Sequence, residues 1–247
     1  MTAPARPLAL VVGGSRGIGA ASVRALVRDG FDVALTYVCR PDDARQLQAQ
    51  CPPASRVGSY ALDVADPQAV ARMFAEAARD FGRAPRVVVV NAGINVPPAP
   101  LAQFPDDRFR RLMEVNLLGA FHVLREAARR VEDGGAIVAL STSLVRHAVP
   151  GAGPYAATKA AVESLVRSMA RELAGRGVRV NAVAPGPVDT ELFNAGKTEE
   201  AKQRMAAMSP FQRIGTPEEV AEVVAFLASD AASWVHGQVV QPNGGLV

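Results

Sequence analysis

Cysteine is scarce in this sequence: Cys39 and Cys51 are the only two in 247 residues. They are too few for a disulfide framework, and neither lies in a Cys-x-x-Cys or other metal-ligand spacing, so a reducing, cytoplasmic setting without a metal is expected. Long apolar runs are missing as well. Leu8 to Val12, the longest near the N-terminus, is too short for a membrane span, and no signal-peptide cleavage pattern follows it. No block of like charge occurs: 27 Lys and Arg are scattered among 24 Asp and Glu, for a formal charge of +3. That balance argues against a nucleic-acid partner and mildly suits a small anionic ligand. Aromatic residues are few, at 5%, while apolar residues reach 49%, enough for a large buried core and unlike a disordered or fibrous chain. Neither an internal repeat nor an interdomain linker is visible, so residues 1–247 read as a single domain.

What the chain does contain is an alternation of apolar runs with helical patterns. Leu8-Ala9-Leu10-Val11-Val12 fits a strand buried on both faces of a parallel sheet. It runs directly into Gly13-Gly14-Ser15-Arg16-Gly17-Ile18-Gly19 and then a helix from Ala20 to Arg28, closed by Gly30. Strand, glycine-rich turn and helix N-terminus form an anion site, because bare backbone N–H groups and the helix dipole point at whatever phosphate lies there. The expected ligand is a dinucleotide, held at Gly13, Ser15, Arg16, Gly17, Ile18 and Gly19.

The second strand, Phe31 to Val38, ends Thr36-Tyr37-Val38-Cys39-Arg40 without an acid. An acidic residue at this tip favours NAD by bonding the ribose hydroxyls and repelling a 2′-phosphate. Here Tyr37 and Arg40, with Arg16 in the glycine turn, present a neutral and cationic edge suited to a 2′-phosphate, so NADP(H) is expected over NAD(H).

Further strands are expected at Val57 to Leu62, Arg86 to Val90, Ala136 to Leu140, Val178 to Val183 and Gly237 to Gln241. A helix opens at Asp66-Pro67 and runs to about Asp80, and one long helix runs from about Asp107 to Val131 through Asn116. Asn91-Ala92-Gly93 ends a strand in small residues that permit close ligand approach. Ile94 to Pro105 is a loop, and Glu191 to Gly215, without strong periodicity, suggests a mobile lid within about 189–215. Thr216-Pro217-Glu218-Glu219 is a capping box opening a helix to Ala228. Strands alternating with helices imply a three-layer α/β fold: a doubly wound, seven-stranded parallel sheet with helices on both faces and ligands at the strands' carboxyl ends.

The last cluster is Ser141-Thr142-Ser143 followed by Tyr155-Ala156-Ala157-Thr158-Lys159. Ala160, Ala161, Leu165, Val166, Met169 and Leu173 continue at helical spacing, so Tyr155 and Lys159, four apart, share one helix face. A cation beside a phenol favours phenolate and lowers its pKa from about 10, which would fit the tyrosine for proton transfer. Tyr-x-x-x-Lys alone also describes an ordinary lysine snorkelling past a half-buried tyrosine; the company it keeps in this chain makes the difference.

From Gly13 to Gly245 these motifs, in this order, resemble the NAD(P)-dependent short-chain dehydrogenase/reductases with a Rossmann fold. The resemblance implies a catalytic tetrad of Asn116, Thr142, Tyr155 and Lys159, with Tyr155 exchanging a proton with the substrate oxygen. Lys159 would hold the nicotinamide ribose and Asn116 would anchor a relay water. The position thirteen before the tyrosine, usually serine, is Thr142, with hydroxyls also at Ser141 and Ser143. The resemblance further places Asp63 and Val64 near adenine, Asn91, Ala92 and Gly93 beside the ribose, Pro185, Gly186 and Val188 near the nicotinamide, and Thr190 on its carboxamide. Two positions depart from the family pattern: Gly13 replaces a threonine and Val90 an asparagine, each removing a side-chain hydrogen bond that would tie the glycine turn.

The segment Thr190 to Lys197 is similar to the lids of family members that reduce small aldehydes and ketones with NADPH, which sets the expected activity. Two other readings compete. One is a 3-oxoacyl thioester reductase, for which Arg129, Arg130, Arg171 and Arg176 would dock an acyl carrier protein unless they pair with Glu126, Glu132 and Glu172; the other is a dinucleotide sensor without catalysis. His147 would line the pocket mouth and Trp234 a subunit contact, and the resemblance implies a homotetramer.

Overall fold

The computed structural model describes residues 6–247, so the first five residues of the expected domain lie outside it. Seven parallel strands, β1 (Leu8–Val12), β2 (Asp32–Tyr37), β3 (Val57–Ala61), β4 (Pro85–Val90), β5 (Ala136–Leu140), β6 (Arg179–Val183) and β7 (Val239–Val240), lie in the order β3-β2-β1-β4-β5-β6-β7. The chain therefore winds outward from β1 in one direction and from β4 in the other. Their junction is the switch point at which open α/β sheets bind ligands. In register, Val11 pairs Leu35 on one side and Val89 on the other.

The central strands β1 and β5 are continuous apolar runs because both faces are covered. Leu8, Leu10 and Val12 face one core, built with α3 (Pro67–Phe81), α5 (Ala120–Arg130) and α6 (Gly153–Leu173). Ala9 and Val11 face the other, built with α1 (Gly17–Arg28), α2 (Pro41–Gln50) and α9 (Pro217–Ala228). Each helix buries one stripe, as Val70, Met73, Phe74 and Ala77 do on α3. Caps fall where the sequence places them: the Asp66 side chain accepts from the Gln68 N–H, and Thr216 and Glu219 close a full capping box.

Three expectations require correction. The helix expected from Asp107 to Val131 is not uniform: α4 (Asp106–Leu112) gives way to a π turn over Met113–Gly119 before α5 resumes. The segment Glu191 to Gly215 is not irregular throughout, since it holds α7 (Glu191–Asn194) and α8 (Glu199–Ala207). Pro41 to Gln50, where no element is expected, is helix α2, opened by proline and the first-turn acids Asp42 and Asp43. Strand and helix ends otherwise fall within a few residues of expectation; α1 begins three residues earlier than read, at Gly17.

Candidate active site

The glycine turn at the end of β1 is shaped by contacts that only glycine permits. Gly13 has φ +81, and a Cβ there would stand 2.8 Å from the Ala92 backbone; a Cβ on Gly19 would stand 2.1 Å from the Gly13 carbonyl oxygen. The turn is nonetheless tied down. Thr36 Oγ1 accepts from the Gly13 N–H at 2.9 Å, and Asn91 Nδ2 donates to the Gly13 carbonyl at 2.7 Å. The side-chain bonds that Gly13 and Val90 cannot make are thus replaced from neighbouring strands. Thr36, at 2% exposure, is a site-shaping residue that no sequence motif marks.

Arg16 and Arg40, the expected phosphate partners, do converge, but on the carboxylate of Glu191 at the start of α7. Glu191 accepts from Arg16 at 2.5 Å and from Arg40 at 3.2 Å, while Asp43 lies 3.6 and 3.7 Å from the same two guanidiniums. Ser15, Arg16, Gly17 and Glu191 line one groove, and Gly17 packs against the Thr190 side chain, so the start of α7 lies across the turn. Tyr37 ends β2 half-buried. Asp63 is exposed and accepts from the Ala65 N–H, and Val64 is buried with its carbonyl 3.0 Å from His122 Nδ1. The structure places these three beside the sheet's β2–β3 edge, away from the cavity described next.

At the ends of β4, β5 and β6 a cavity of about 500 Å³ opens, lined by Thr142, Tyr155, Pro185, Gly186, Val188 and Thr190 among others. Ile18 and His147 also line it. Pro185 accepts from the Ser143 N–H, and Thr190 caps α7 through the Phe193 N–H. Helix α6 brings Tyr155 to the cavity and carries Lys159 one turn deeper, where Nζ donates to the Leu140 carbonyl at 2.9 Å. Burial pushes the Tyr155 phenol up to about 12 and the Lys159 ammonium down to about 8. The expected depression of the tyrosine is therefore not what the structure displays: Lys159 donates to a carbonyl, and desolvation governs both groups.

Asn116 sits in the π turn, fully buried. Its amide is engaged on both sides, accepting from the Ile94 N–H at 2.8 Å and donating to the Ile94 carbonyl at 2.9 Å, with Thr158 Oγ1 at 3.4 Å. π turns frequently mark functional positions, because the widened turn re-aims a side chain. Gly93 is where the deep groups meet: a Cβ there would stand 3.3 Å from both Asn116 Oδ1 and Lys159 Nζ.

The three consecutive hydroxyls of the 141–143 run are not equivalent. Ser141 Oγ donates to Glu163 at 2.7 Å and Ser143 Oγ to the Ala184 carbonyl at 2.9 Å. The Thr142 hydroxyl accepts from the Leu144 N–H, which leaves its own proton for a ligand. Glu163, 2% exposed, also receives two bonds from Arg146, at 3.0 and 3.1 Å, and so pins the loop after Thr142 to α6. This pairing was invisible in sequence, where nothing marks Glu163 and Arg146 as neighbours.

A family profile described as enoyl-(acyl carrier protein) reductase matches residues 12–247. A short-chain type dehydrogenase/reductase of Picea abies is 42% identical, over 97% of this chain and 92% of its own. The chain belongs to the short-chain dehydrogenase/reductase family. Other members similar to it include an NADPH-dependent aldehyde reductase-like protein of Arabidopsis thaliana, chloroplastic by its name, 38% identical over 97% of this chain and 94% of that one. A 3-oxoacyl-[acyl-carrier-protein] reductase of Staphylococcus aureus is 37% identical, over 96% and 97%. Among solved short-chain dehydrogenases, one from Burkholderia cenocepacia in complex with NADP superimposes with a TM-score of 0.90 at 33% identity, covering 97% of each chain. In this family member no group of His, Cys, Asp or Glu suited to a metal occurs among the described residues, and no helix is long and apolar enough to cross a membrane.

Proposed function

We propose that this short-chain dehydrogenase/reductase is an NADP(H)-dependent oxidoreductase that reduces small aldehydes or ketones to alcohols. The observation that carries the reading is the cavity at the strand ends, where the Tyr155 phenol and the uncommitted Thr142 hydroxyl face one space and Lys159 and Asn116 meet at Gly93 just behind it. The glycine turn suits a pyrophosphate, since it joins the end of β1 to the N-terminus of α1 and packs so closely at Gly13 and Gly19 that neither position has room for a side chain, and the Arg16–Arg40 pair, once the Glu191 carboxylate gives way, offers a 2′-phosphate two charge-assisted donors. The NADPH-dependent aldehyde reductase-like relative and the NADP-bound structural neighbour support the same coenzyme.

When bound, the dinucleotide supplies the hydride at its nicotinamide. The chain's own residues do the rest. Tyr155 gives its proton to the carbonyl oxygen in reduction and accepts it in oxidation, and Thr142 donates a hydrogen bond to the same oxygen as charge develops there. Lys159 orients the ribose and keeps positive charge near the phenol, while Asn116 fixes the Ile94 backbone and anchors the relay water that the family resemblance implies. Asp63 and Val64 toward adenine, and Tyr37 at the ribose edge, belong to the same reading, as do a cytoplasmic setting and a homotetramer whose contacts would cover Trp234, 98% exposed.

The thioester reading stands second. The Staphylococcus aureus relative favours it, but Arg129 and Arg130 both pair with Glu126 at 2.8 Å and Arg176 with Asp133 at 2.7 Å, which leaves little of the proposed carrier-docking patch uncommitted. The test follows NADPH absorbance against a panel of aldehydes, ketones and an acetoacetyl thioester. Small free carbonyls should turn over, and Tyr155→Phe should lose nearly all turnover while binding coenzyme as before. Turnover by that variant at the wild-type rate would remove Tyr155 from the chemistry, and a dominant thioester would replace the substrate class.

A further inference from the structure

The cavity beside Tyr155 is walled by apolar side chains, among them Val96, Phe104, Leu144, Leu192, Met205 and Met208, and among the described residues no aspartate or glutamate lines it. Two cations do: Lys197 and Arg204, both from the lid. Their placement is built into the helix. On α8 and its C-cap, Ala201, Arg204, Met205 and Met208 recur at three- and four-residue spacing and all line the cavity, so the exposed Arg204 side chain stands at its rim. The lid's own acids are engaged elsewhere: Asp189 accepts from Asn194 Nδ2 at 2.7 Å, Glu191 pairs with Arg16 and Arg40, Glu199 pairs with Lys202 at 2.7 Å, and Glu200 bonds to Thr198 at the start of α8.

Lys197 is held in place without being neutralised. Its ammonium lies over the Phe193 ring, 4.6 Å from the centroid, and donates to the Phe193 carbonyl, which leaves two of its three protons. Burial, and then the charge of Lys202, lower its proton affinity, the direction expected of a half-buried cation with no counter-ion. Neither Lys197 nor Arg204 forms an ion pair among the described residues, although the chain pairs most of its surface arginines, as Arg213 does with Glu219 and Arg28 with Glu222.

We infer that Lys197 and Arg204 form a subsite for a carboxylate at the far end of an otherwise apolar carbonyl substrate, making the preferred substrate an oxo acid, an inference that rests on the reductase reading above. The apolar wall takes the carbon skeleton, Thr142 and Tyr155 take the carbonyl oxygen, and the lid takes the charge, so that the lid closes on substrates carrying the anion. A phosphate on a carrier-borne thioester arm would offer the same charge, but Lys197 is packed against Phe193 inside the cavity wall, where a compact carboxylate reaches it.

The test compares 6-oxohexanoate with its methyl ester and with hexanal, using NADPH and the whole enzyme. Wild type should favour the acid over the ester by about tenfold in kcat/KM, and Arg204→Gln or Lys197→Met should erase that preference through KM, the loss expected of one charge-assisted hydrogen bond, while leaving ester and hexanal unchanged. Equal losses for acid and ester would mean that the side chains only support the lid, and an unchanged preference would mean that they do not see the carboxylate; either overturns the subsite. Dependence on Arg204 for acetoacetyl-coenzyme A alone would overturn the oxo-acid assignment in favour of the thioester. Calorimetric binding of adipate needs no turnover: adipate binding that Arg204→Gln weakens about tenfold supports the subsite even if no carbonyl is reduced, an outcome that would defeat the reductase reading instead.

Discussion

At the scale of single residues, the site depends on which proton is free. Of the three neighbouring hydroxyls only that of Thr142 has a proton not already donated, because Glu163 and the Ala184 carbonyl take those of Ser141 and Ser143. The titrating pair is equally asymmetric. Tyr155, pushed up to about 12, keeps its proton through the neutral range and stands ready as an acid for reduction. Lys159, lowered to about 8, loses its charge first as pH rises. If the ammonium is needed to hold the ribose and stabilise developing phenolate, reductive kcat/KM should be level through neutral pH and decline above pH about 8, with Lys159 setting the inflection. Lys159→Arg, whose guanidinium stays charged, should flatten that decline even where its altered shape lowers the overall rate. A pH profile of initial rates with saturating NADPH measures both; an inflection that Lys159→Arg leaves in place would assign it to another group.

At the scale of elements, the strands and α6 were legible because burial writes them into the sequence. Val87 to Val90 and Ala136 to Leu140 are covered on both faces and therefore read as unbroken apolar runs. Helix α8 buries no residue fully and α2 only Ala44 and Leu47, so neither has a strong apolar period to read, although Thr198 before two glutamates and Pro41 before two aspartates were start signals in plain view. The π turn is illegible for a different reason: it shifts the hydrogen-bond ladder by one residue without changing the residue types. Of the site, the glycine turn and the Tyr155–Lys159 spacing are local and could be read, whereas the Thr36 tie, the Glu163–Arg146 clamp and the Glu191 bridge join residues 23, 17 and 175 positions apart.

With the coenzyme placed as proposed, that last bridge makes α7 a competitor for its 2′-phosphate. A 2′-phosphate reaching Arg16 and Arg40 must displace the Glu191 carboxylate, and both arginines and Glu191 are largely exposed, so the bridge holds with only about 0.2–1 kcal/mol. Glu191→Gln should therefore tighten NADP+ by a factor of about two to five and leave NAD+ unchanged, read by calorimetric titration at low salt. Equal tightening for both dinucleotides would show that Glu191 acts on the lid and not on the phosphate position.

At the scale of the whole molecule, the coenzyme groove is a property of the folded state alone. Its proposed contacts run from Gly13 to Thr190, and they meet only because β1 and β4 are adjacent at the sheet's switch point. A ligand that binds the native state and not the unfolded chain stabilises by about 2.7 kcal/mol at a hundred times its dissociation constant. For a chain of this length each kcal/mol moves Tm by about 2–4 °C, so NADP+ at that concentration should raise Tm by about 5–10 °C in differential scanning calorimetry. NAD+ at the same concentration should raise it less, because it lacks the group that Arg16 and Arg40 would bind. Replacing both arginines with glutamine should bring the two shifts together by lowering that of NADP+, and added salt should do the same more gradually, since these side chains are screened. A larger shift with NAD+ than with NADP+ in the wild-type enzyme would transfer the coenzyme assignment to NAD(H) and leave the Arg16–Glu191–Arg40 bridge as a contact of the lid alone.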